Sequence, residues 1–211
     1  MEIKNNNIGK NVRSLSGYLI VYTATAVVPF ITLPIFTRLI APEEYGRLAL
    51  VMIFGIIISG LSNLGTSVAY NREFFKLGPD TKRISILLLT TVLFTFGLFC
   101  ILLTLTIIFN REISVLITQS PNNGWLIIGA SIAGYVNLLY TEFCLNYWRN
   151  GQKVRVYMTY ALIHLASNTI LSLILIVIFN LGVSGILIAN TISGCGLSLF
   201  FLFKTLDWKH P

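Results

Sequence analysis

Long stretches of this chain carry no charged side chain, among them those from Arg47 to Arg72, from Arg83 to Arg111 and from Arg155 to Lys204. Runs of that length mark membrane-spanning helices, because about 20 apolar residues cross the hydrocarbon core of a bilayer. Composition agrees, with 55% of residues hydrophobic and 11% charged, against roughly 25% charged in an average soluble domain. A soluble enzyme, a disordered tail and a nucleic-acid-binding domain are all excluded. The expected fold is an all-α membrane protein, a bundle of six transmembrane helices forming a single transmembrane domain over residues 1–211.

The spans are expected at about 14–36, 47–70, 84–109, 125–148, 156–179 and 185–203. The stretch after Arg155 must hold two of them, since at about 1.5 Å per residue it is far too long for one crossing. Asn180 to Ser184 makes the turn between them. This arrangement puts twelve of the fifteen Lys and Arg residues on the side of the N-terminus, leaving Arg38, Arg47 and Arg111 opposite. Cations collect in cytoplasmic loops, so both termini are expected in the cytoplasm. The net charge of +7 is thereby read as a topology determinant with a secondary attraction to anionic lipid, and no nucleic-acid partner is expected.

The basic N-terminus leading into an apolar segment looks superficially like a signal peptide. The apolar part is too long and lacks a small-residue cleavage pattern, so it is read as a retained first span. Cys100, Cys144 and Cys195 fall inside helices, without disulfide or zinc spacing. Neither a Walker motif, HExxH nor GxSxG occurs. The expectation is a protein that is not an enzyme, with no catalytic residue, no metal and no cofactor.

Polar side chains recur at helical spacing on four spans. The first has Tyr18, Tyr22, Thr25, Pro29 and Thr32; the second has Ser59, Asn63, Thr66 and Tyr70. Tyr135, Glu142, Asn146 and Arg149 lie on the fourth, and Tyr157, Tyr160, His164, Ser167 and Asn168 on the fifth. The third span, mostly Leu, Ile and Phe, is expected to face lipid. One reading of the stripes is a water-accessible cavity, lined among others by Tyr18, Tyr22, Thr66, Asn146 and Asn168. The other is interhelical hydrogen bonding, commonly worth about 0.6–2 kcal/mol per contact in membranes.

Glu142 and His164 are the charge-capable residues deep within spans, about 9 and 12 Å from the nearer helix ends at the standard rise. Residues of this kind are functional candidates by default. On antiparallel neighbouring helices the pair can carry a proton during transport, or form a static bond that locks two helices. Glu142 can equally pair with Arg149. Pro29 and Pro34 each remove a backbone hydrogen bond from the first helix and are expected to kink it. Asn190, Gly194 and Ser198 form a small-residue seam on the sixth helix, suited to close packing.

The segment from Pro34 to Gly46, PIFTRLIAPEEYG, resembles the polysaccharide and O-antigen flippases, the Wzx-like family of the multidrug/oligosaccharidyl-lipid/polysaccharide exporter superfamily. Pro42 and the two Glu residues also suit the first turn of a helix, where acids favour the dipole. Leu64 to Phe75 is similar to that family's Gly-rich helix end followed by Arg and aromatics, and 147–153 and 180–185 match as well. The resemblance implies transport of an undecaprenyl-pyrophosphate-linked oligosaccharide across the bacterial cytoplasmic (inner) membrane, for O-antigen or other surface polysaccharide. Family members have two six-helix lobes, so this chain is expected to be the N-terminal lobe or a truncated form. Its partners are then lipid-linked oligosaccharide, membrane lipids, and a second six-helix lobe or a second copy of itself. Arg38, Arg72 and Arg149, with Asn63, are the candidates for the anionic head group.

Two other functions remain open on the sequence. One is a half-sized proton-coupled exporter of small molecules, working as a dimer around Glu142 and His164. The other is a non-transporting membrane scaffold or an inactive fragment.

Overall fold

The computed structural model describes residues 2–78 and 80–205, with side chains from Leu15 onward. Among these residues there are helices and turns and no strand. Six helices are long and apolar enough to cross a membrane. They are α1 (Glu2–Leu39), α2 (Pro42–Asn63), α4 (Thr81–Ile108), a composite helix centred on α6 (Gly124–Leu138), α8 (Val154–Val177) and α9 (Gly182–Thr205).

Local chemistry explains most boundaries. Pro42 opens α2 with Glu43 and Glu44 in its first turn, the placement that a helix dipole favours. Asp80 caps α4 by accepting the Arg83 backbone N–H at 3.1 Å, and pairs with the Arg83 side chain at 3.2 Å. Thr25, Thr32 and Thr37 on α1 turn their hydroxyls back onto carbonyls of their own helix. Through Pro29 and Pro34, α1 remains one helix.

The second span differs from the sequence reading. Instead of one helix over 47–70, α2 ends at Asn63 and a separate helix, α3 (Thr66–Leu77), follows. Leu64 and Gly65 between them are both left-handed, at φ 42° and 76°. A glycine accepts that conformation freely, whereas a leucine pays roughly 1–2 kcal/mol for it. Asn63 offsets this cost by bridging the break: its Oδ1 accepts the Ser67 N–H and its Nδ2 donates to the Ser67 hydroxyl, both at 2.9 Å.

Two further elements were not anticipated. A short helix, α5 (Asn110–Thr118), follows α4. Its Ser114 and Thr118 hydroxyls point inward to the Ser120 carbonyl, while Leu116 is 83% exposed. The fourth span is α6, then a π-helical segment at Leu139–Leu145, then α7 (Asn146–Asn150). The wider π turn changes the direction of the side chains that follow it.

α6 is the hub, packed against α2, α4, α5 and α9. Its small residues make this possible: a Cβ on Gly134 would run into the Gly55 carbonyl, and a Cβ on Gly55 into the Ala130 carbonyl. Backbones in such contact draw their association from packing rather than from a hydrophobic drive, which lipid removes. α9 joins α6 to α8, with Gly194 against Val136 and Gly185 against Leu175. α1 packs along α8, where Gly17 faces Val154 and Met158. The sixth-span seam thus works as expected at Gly194, where it meets Val136. α4 packs on α2, α3 and α6, and much of its remaining surface is apolar and exposed. It is nonetheless more buried than α1 and α8, so the expected contrast between a lipid-facing third span and the others does not appear.

Arg72, Lys76, Lys82, Arg83, Arg149, Lys153, Arg155 and Lys204 lie at or near one end of the bundle, with Arg38, Arg47 and Arg111 toward the other. The side chains of Lys4, Lys10, Arg13 and Lys209 fall outside the described ones. If the basic end is cytoplasmic, single cysteines at Asp80 and Thr205 will react only after the membrane is permeabilised. Cysteines at Glu44 and Asn122 will react with an impermeant maleimide on intact cells. Labelling of Asp80 from outside would overturn the orientation.

Candidate anionic head-group site

Among the described residues the ion pairs are Lys76–Glu73 and Arg83–Asp80. Arg38, Arg72 and Arg149 are all exposed and in neither. Their positions separate them into two groups.

Arg149 sits on α7, and its charge lies within electrostatic range of the Tyr18 and Tyr157 phenols. Those two rings pack at 5.2 Å between centroids, joining α1 to α8. Tyr22, one turn along α1 and 62% exposed, is close enough to act on Tyr157 as well. A guanidinium within range of two phenols, with the third at Tyr22 near Tyr157, supplies a fork of charged donors and further hydroxyl donors. Phosphate oxygens are its natural complement, and bidentate geometry favours Arg over Lys.

Arg72 lies at the same end on α3. The Asn150 amide donates to Asn71 at 2.7 Å, tying α3 to α7 beside Arg72 and Arg149. Arg38 belongs elsewhere: it is twenty residues along α1 from Tyr18, about 30 Å at the standard helical rise. One pyrophosphate cannot touch Arg38 and Arg149 together. Asn63 is engaged in the α2–α3 break, and Thr66, half-buried, begins α3.

Glu142 and His164, both half-buried, are not joined. Glu142, in the π segment, accepts a long 3.4 Å bond from the buried Asn146, and no ion pair to His164 or Arg149 forms among the described residues. His164 instead stacks on Tyr140 at 4.2 Å, while the Tyr140 hydroxyl donates to the Tyr160 carbonyl at 2.6 Å. His164 Nε2 and Asn168 Oδ1 are buried without a hydrogen-bond partner among the described residues. The neighbouring of the two helices was correctly anticipated; the direction of the side chains was not.

The other stripes divide similarly. Ser59 bonds its own helix at Ile56, Tyr70 is buried among Phe74 and Phe143, and Tyr135 stacks on Phe99 at 4.1 Å toward α4. Only the α1 stripe keeps an open phenol, at Tyr22. Two features escaped the sequence reading. At the basic end, a cavity of about 610 Å³ has Phe74, Tyr147 and Lys153 in its wall, and Lys153 also lies 5.2 Å over the Trp148 ring. At the opposite end, a cleft of about 270 Å³ is lined by residues of three turns, Trp125 among them. Aromatic residues flanking the loops were the available signal for both.

A six-span helical bundle with most of its described cations at one end, and there an arginine in no ion pair among the described residues and within range of Tyr18 and Tyr157, defines a multi-pass membrane protein. Residues 11–210 match the family described as polysaccharide biosynthesis protein, and the chain belongs to that family. No curated protein and no solved structure showed significant similarity to it.

Proposed function

We propose that this chain is one six-helix lobe of a transporter that moves an undecaprenyl-pyrophosphate-linked oligosaccharide from the inner to the outer leaflet of the bacterial cytoplasmic membrane. Both termini are cytoplasmic, and the second lobe is a separate six-helix unit or a second copy. The observation that carries the reading is Arg149, in no ion pair among the described residues, within electrostatic range of Tyr18 and Tyr157, with Tyr22 in turn within range of Tyr157. It lies near the membrane boundary on the cation-rich side, at the depth where a pyrophosphate head group sits while its prenyl chain stays in lipid. Membership of a polysaccharide biosynthesis family supports the substrate class. Tyrosine rings suit this depth, with an apolar body and a polar tip.

The proton-coupled exporter gains no support from the geometry, since Glu142 and His164 do not meet. The transporter reading is tested in a flippase-deficient polysaccharide strain. Expression of this chain, alone or with a supplied C-terminal six-helix lobe, will restore glycan on the cell surface. Failure of both arms, with the chain inserted at normal levels, would contradict the proposal.

A further inference from the structure

The cleft at the end away from the basic side brings together groups that no role yet assigned requires. Glu44 and Arg47 come from the first turns of α2, Asn123 and Trp125 from the start of α6, and Asn180 and Gly182 from the α8–α9 turn. Glu44 and Arg47 are three residues apart, yet neither takes part in an ion pair among the described residues. Trp125 is 54% exposed. Gly182 is left-handed at φ 51°, and even a Cβ there would lie 3.6 Å from the Glu44 carboxylate. A larger side chain would close the space beside that carboxylate; glycine keeps it open.

We propose that this cleft is a saccharide subsite, with the sugar ring resting on Trp125 and its hydroxyls bonded by Glu44, Arg47, Asn123 and Asn180. A sugar presents an apolar C–H face and a rim of hydroxyls that donate and accept. The apolar face suits an indole. The rim requires donors and acceptors together, which a carboxylate, a guanidinium and two amides provide. A phosphate is a poor occupant, because the cleft sets one carboxylate against its single cation. At about 270 Å³ the space is just below the usual range for small-molecule sites, and suits one or two sugar rings. The inference rests on the transporter reading, in which this is the end where the glycan emerges.

The test uses the chain in nanodiscs with the methyl glycosides of galactose, N-acetylglucosamine, rhamnose and glucuronic acid as probes. Saturation-transfer NMR will show transfer to at least one of them. In Trp125→Leu that transfer will fall about tenfold, the loss of one well-made contact, while Trp125→Phe retains part of it. Unchanged melting of the variants would separate a lost sugar contact from a lost membrane anchor. No transfer to any probe, or equal transfer in Trp125→Leu, overturns the subsite. A chain that restores surface glycan yet shows no transfer sinks the subsite and spares the transporter. Trp125-dependent transfer in a chain that never restores glycan does the reverse.

Discussion

Gly134→Leu will melt well below the parent chain. A Cβ at this position already meets the Gly55 carbonyl, and that obstacle is backbone, which cannot swing aside. The α2–α6 contact, at the hub of the bundle, would have to open to admit the side chain. Overpacking a tight core costs about 3 kcal/mol at the upper end of its usual range, which corresponds to a fall of roughly 10 °C in melting temperature for a chain of this size. Gly97→Leu is the control, because nothing lies within 4 Å of a Cβ there. Thermal unfolding of detergent-purified variants checks both, and equal melting would remove the close α2–α6 crossing from the account.

The same comparison shows what a sequence can reveal about such a fold. Spans were legible because a charge inside the bilayer is expensive, so uncharged runs between arginines outline the helices directly. The break after Asn63 was not, because the left-handed conformation of Leu64 is a backbone property that its side chain does not announce. α5 escaped notice because nine residues are too few for a hydrophobic run. Its hydroxyls, moreover, face inward, opposite to the usual pattern. The small residues of α6 were visible, but which of them would touch another backbone depends on tertiary packing.

Arg149→Gln will lower capture of a photoreactive polyprenyl-pyrophosphate disaccharide in nanodiscs about tenfold or more, the usual worth of a charge-assisted hydrogen bond. Insertion and melting will not change, because Arg149 is exposed and in no ion pair among the described residues. Lys at this position will recover only part of the capture, since a point charge lacks the planar fork. Arg38→Gln will leave capture at this end unchanged, because about 24 Å of helix or more separates it from Tyr22 and Tyr18. Equal capture by the Arg149→Gln variant and its parent would remove the head-group site.

That site was half legible. Arg149, Tyr18 and Tyr22 stood out by type and spacing, and Tyr157 lay on a recognised stripe. The association of Glu142 with His164 failed because depth along a helix says nothing about direction around it. The π segment at Leu139–Leu145 lies at Glu142 itself, and a single-sequence periodicity of 3.6 cannot register it. The cleft at the end away from the basic side depends on three turns that are far apart in the chain, so no local motif could have assembled it.

The most direct measurement is a map of where that photoreactive lipid attaches to the parent chain. Peptide sequencing of the cross-linked protein will place the label on the segments carrying Tyr18, Tyr22 and Tyr157, at the end of the bundle that holds Arg149. Label spread evenly over the lipid-facing surface of α4, or confined to the end holding Arg38, would contradict the account.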